Sequence, residues 1–100
     1  MSFEELRQSI THDASPPAGS SLAVQGLWHE ARGDWEGAHS AVQQDEQDRD
    51  CCWVHAYLHR KEGDIGNAGY WYSRAGRAMP GKGVTFETEW ADIARTLVAG

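Results

Sequence analysis

Cys51, His55 and His59 recur every fourth residue, the spacing that lines side chains along one face of a helix. Thiolate and imidazole are zinc ligands, so the row is chemically competent for a metal. Geometry restricts it, because eight residues of straight helix span about 12 Å and all three cannot meet one ion. His55 and His59 could share an ion if His29 or a carboxylate came from elsewhere. His29 and His59 sit thirty residues apart at matched positions, which favours a common packing role over ligation.

A second group on the same segment suggests recognition. Trp53, Tyr57, Arg60 and Lys61 fall along one helix side, an aromatic ledge beside two cations. Such a set can stack on a peptide and hold a carboxylate, Arg by its planar fork and Lys as a point charge. The competing expectation is packing, with Trp53 and Tyr57 buried against neighbouring helices and both cations at a helix C-terminus. Tyr70, Arg74 and Arg77 form a further strip that points away from the core face of its helix. Other chemistry finds no support. Ser40 and Ser73 lack a His-Asp relay, and Gly63, Gly66 and Gly69 lack the strand and Lys-Ser or Lys-Thr pair of a phosphate loop. Neither an enzyme nor a cofactor is expected.

Two corners position these residues. Residues 28–38 (WHEARGDWEGA) precede residues 58–68 (LHRKEGDIGNA) by thirty, with identities at His29/His59, Gly33/Gly63, Asp34/Asp64 and Ala38/Ala68. Glycine suits the left-handed residue that ends a helix, and the following Asp can cap the next one. Each corner therefore folds two helices antiparallel. Leu22, Gly26 and His29 face Trp35, Ala38 and Val42 in the first hairpin. Cys52, Ala56 and His59 face Ile65, Ala68, Tyr72, Ala75 and Met79 in the second. Pro80-Gly81 is expected to stop the fourth helix. Thr85 or Thr88 would cap a last one carrying Phe86, Trp90, Ile93, Ala94 and Leu97, which would cover the open end of the stack. Phe3, Leu6 and Ile10 allow a helix before Pro16-Pro17, so residues 1–19 form an N-terminal arm that could dock, fray or swap. Residues 20–100 form a single all-α domain.

Gly63-Asp64-Ile65 with Ala68, Tyr72, Ala75 and Pro80 resembles the second half of a tetratricopeptide repeat. Gly33-Asp34-Trp35 with Ala38 repeats the turn but has Asp45 and Asp50 where the later Ala and Pro would stand. The resemblance covers roughly residues 20–80. It implies two stacked hairpins that bind a protein or peptide on a groove lined by the first helix of each. The family's carboxylate clamp is not reproduced, since Ala23, Leu27, Glu30 and Ala31 offer no basic partner.

Composition limits the alternatives. In 100 residues, fifteen acids against nine Lys and Arg give a formal charge of −6. Nucleic acid and anionic membranes need a basic face and are not expected partners. No apolar run is long enough for a leader or a membrane span, and adjacent Cys51 and Cys52 make no disulfide framework; a cytoplasmic protein is the expectation. Charge is uneven, with six acids and one base over residues 34–50 and five bases and two acids over 51–84. That polarity suits an acidic partner or a second copy docking head to tail. The leading expectation is an interaction module contacting a protein, a peptide or its own copy through Trp53, Tyr57, Arg60 and Lys61, then Tyr70, Arg74 and Arg77. The alternative is a small-molecule- or metal-binding protein, possibly hydrolytic, using His29, His55 and His59 with Glu62 between the hairpins.

Overall fold

The computed structural model describes residues 1–99 and contains six α-helices and, among these residues, no strand. They are α1 (Phe3–His12), α2 (Leu22–Ala31), α3 (Trp35–Gln43), α4 (Arg49–Glu62), α5 (Ile65–Ala75) and α6 (Phe86–Ala99). The two corners form as the sequence requires. Gly33 and Gly63 lie at φ +80° and +90°, and Asp34 and Asp64 accept from the backbone N–H groups of Gly37 and Asn67 at 2.9 and 3.4 Å. These turns make antiparallel hairpins of α2 with α3 and α4 with α5, stacked through α3–α4 and α2–α4 contacts. Gly26 permits the stacking: a Cβ there would stand 2.8 Å from Val42 Cγ1 and 3.2 Å from Val54 Cγ1.

The second hairpin ends earlier than Pro80-Gly81 would suggest. Gly76 takes φ +71° and closes α5 after Ala75, because a left-handed glycine satisfies the last carbonyls locally. Met79, expected on the core stripe, consequently lies beyond the end of α5 and is exposed; Ile65, also expected there, is exposed as the first residue of the helix. Thr85 caps α6 by accepting from the N–H of Thr88.

The last helix covers the stack on the face made by α2 and α4, and it also meets α1. Ile93 and Ala94 are fully buried there, and the Trp90 indole donates to the Leu27 carbonyl at 3.1 Å. Two other indoles join helices in the same way, Trp28 to Ser9 Oγ on α1 and Trp35 to the Leu58 carbonyl on α4. α1 docks by burying Leu6, while Arg32 holds the carbonyls of Ile10 and Asp13. No helix among the described residues is long and apolar enough to cross a membrane.

Two glycine substitutions separate conformational from packing roles. Gly63→Ala should destabilise by about 1 kcal/mol or more, because an L side chain is strained at that φ. Gly69→Ala, in the interior of α5 with only Met79 Cε at 3.6 Å to meet, should stabilise by about 0.5–1 kcal/mol. Urea denaturation midpoints measure both.

Candidate functional site

α4 carries nearly all the chemistry and is buried around its whole circumference. Residues 51–59 are buried without interruption, although His55, Tyr57 and His59 are polar. An enclosed polar atom must find a partner inside the protein, so each neighbouring helix supplies one.

The aromatic and basic set meets carboxylates, and those carboxylates belong to this chain. Arg60 donates to Glu89 Oε1 at 2.9 Å and to the Val84 carbonyl at 2.6 Å, while the Tyr72 hydroxyl donates to the other Glu89 oxygen. Burial pushes the Glu89 carboxyl above its ordinary range despite the opposing pull of Tyr72 and Arg60. Glu30 of α2 is equally enclosed and receives the Tyr57 hydroxyl at 3.3 Å and the Lys61 ammonium. Trp53 is buried beneath the Arg77 guanidinium, 3.9 Å from its ring centroid. Trp53, Tyr57 and Arg60 thus lie inside the molecule. Lys61, with 42% of its side chain exposed, borders a cleft of about 420 Å³ between α1 and α6, with Phe3, Arg7 and Trp90 among its walls. The face that the tetratricopeptide resemblance assigns to a ligand is the face on which α6 lies.

The outer strip is arranged differently. Tyr70 is 54% exposed, and Arg74 donates to its hydroxyl at 3.2 Å and to the Glu46 carbonyl at 2.8 Å. Arg77 continues the strip over Trp53.

On the opposite flank of α4 the structure gathers histidines, but a different set from the expected one. His29 remains on α2, its ring edge-on to Trp28 and its Nδ1 3.9 Å from Asp34 Oδ2. His39 of α3 takes the third place, with ligating nitrogens of His39, His55 and His59 all within 4.8 Å of one another. The His39 and His55 Nε2 atoms are 3.0 Å apart. Trp35 stacks on His39 and Trp71 on His55, at centroid distances of 4.8 and 3.9 Å. Glu62 Oε2 lies 2.5 Å from His59 Nδ1. Burial, reinforced by the neighbouring imidazoles, lowers His39 and drives His55 down to about 3. The signal for His39 was its position one turn beyond Trp35, on the helix that the first corner turns toward α4. Cys51 and Cys52 are free and buried away from this cluster, and burial beside Asp48 pushes the Cys51 thiol up.

No known protein family, curated protein or solved structure matches the chain.

Two outcomes follow from this burial. Arg60→Ala should cost about 3–5 kcal/mol, because it strands the Glu89 carboxylate in the interior; a thermal or urea melt reads it. His55 faces His39, His59 and Trp71, with Glu62 on His59 and Glu46 acting on His39. Its depressed pKa means the unfolded chain binds the proton first. The His55 contribution is complete above pH about 6.5 and declines toward about 3, by about 1.4 kcal/mol per pH unit. His55→Phe should flatten that part of the stability–pH curve measured in chelator.

Proposed function

We propose that this chain is a helical-hairpin interaction module that binds another protein, or a second copy of itself, through the outer face of α5. One observation carries the proposal: among the described helices the α5 backbone lies close to α4 alone, and α5 turns Tyr70 outward at 54% exposure. Ile65, 53% exposed, adds apolar area at the start of the same helix. Tyrosine and arginine are the residue types on which binding energy concentrates. The strip is also preorganised. Arg74 is tied to Tyr70 and to the Glu46 carbonyl, and Arg77 rests on Trp53, so little side-chain entropy remains to be lost on contact.

Two guanidinium groups beside an aromatic ring suit an acidic surface, and the acidic run of residues 45–50 on a second copy has that character. The groove lined by α2 and α4 is a poorer site, because α6 occupies it and its cations already hold Glu30 and Glu89. The two matched Gly-Asp corners favour a divergent tetratricopeptide-like relationship. Free, buried Cys51 and Cys52 favour a reducing compartment such as the cytoplasm.

The double variant Tyr70→Ala, Arg74→Glu tests the reading. It should lose self-association in light scattering, or lose the proteins captured from the native cell by the unaltered chain, while Tm moves by only a few degrees. Association or capture unchanged by the variant would refute the assignment of this face.

A further inference from the structure

We propose that His39, His55 and His59 form a binding site for one zinc-class divalent ion in the seam between the two hairpins, independent of the α5 surface. The ligand atoms come from two helices held at fixed separation by stacking. His55 and His59 lie one turn apart on α4, the spacing at which a helix presents two imidazoles to one ion, and α3 supplies His39 across the seam. An ion at Zn–N distances of about 2.0–2.1 Å in tetrahedral geometry separates its ligand nitrogens by about 3.3 Å. The His39 and His55 Nε2 atoms are 3.0 Å apart, and all three ligating nitrogens lie within 4.8 Å. These separations lie within about 1.5 Å of those a tetrahedral ion requires. Three imidazoles and no thiolate select zinc, cobalt, nickel or copper over calcium or magnesium, which take oxygen ligands.

The surroundings of the cluster support ligation. Glu62 Oε2 lies 2.5 Å from His59 Nδ1 and so orients this ring as the carboxylate does in carboxylate–histidine–zinc arrangements, with Nε2 as the nitrogen offered to the ion. The Asn67 amide approaches that nitrogen at a long 3.4 Å. His55 is 2% exposed, and its Nε2 meets the Nε2 of His39, another nitrogen that can ligate. Trp35 and Trp71 fix the planes of His39 and His55 by stacking. His39 is only half-buried, which provides the entry path and leaves a fourth coordination position toward solvent for water or a small anionic ligand.

The test titrates the full chain, stripped with chelator, with Co²⁺ alone and follows the visible d–d absorption of a low-coordinate ion. The expected result is a band that saturates at one equivalent, is erased by Zn²⁺, and comes without the near-ultraviolet thiolate charge-transfer absorption of a cysteine site. His39→Phe keeps the ring stacked on Trp35 but removes its nitrogens, and should abolish the band while the helical circular-dichroism spectrum is retained. Glu62→Gln, an exposed position, should weaken Co²⁺ by about 10–100-fold. His12→Ala, on the surface of α1, should change nothing. Absence of a saturable band in the unaltered chain overturns the proposal. So does a band that survives in His39→Phe, one that is lost in His12→Ala, or one that shows thiolate absorption.

Discussion

A helix enclosed on every side cannot leave a polar group to water, and α4 is such a helix. From Cys51 to His59 each residue is buried, and Arg60 follows almost as deeply. The other helices are arranged around the needs of that one. α2 brings Glu30 to Tyr57 and Lys61, α6 brings Glu89 to Arg60, α5 brings Tyr72 to the same carboxylate, and α3 brings His39 to His55. Unpaired buried charge costs several kcal/mol, so these partners specify one packing rather than merely adding to its stability. Among the described residues the buried side-chain atom without a partner is His55 Nδ1, the ring nitrogen that does not face His39.

Local chemistry was the legible part of this sequence. A glycine that needs positive φ followed by a capping aspartate is a statement about four or five residues, and both corners form as written. The cap at Thr85 and the burial of Ile93 and Ala94 belong to the same class. The boundary of α5 was not legible from Pro80-Gly81, because Gly76 had already ended the helix four residues earlier. A proline marks where a helix cannot continue, not where it stops.

Partnerships across the chain were hidden for a different reason. That Arg60 and Lys61 would hold carboxylates follows from their chemistry; that the carboxylates are Glu89 and Glu30 depends on contacts spanning about thirty residues. The docking of α6 on α2 and α4 decides whether the aromatic and basic side of α4 faces solvent or core, and no periodicity encodes it. His39 has no counterpart thirty residues on, where Gly69 stands, so the repeat that matches His29 with His59 carries no sign of it. Arg49–Glu62 also lacks a clean apolar stripe, so its burial on all sides does not announce itself.

The most direct test of α4 as the organising element is native-state amide hydrogen exchange. Amides of residues 54–59 should exchange only through global opening, with protection equal to the unfolding free energy and exceeding that of every other helix. Should these amides exchange by a partial opening while α3 or α6 stays protected, α4 would be a peripheral element and the account of its partners would fail.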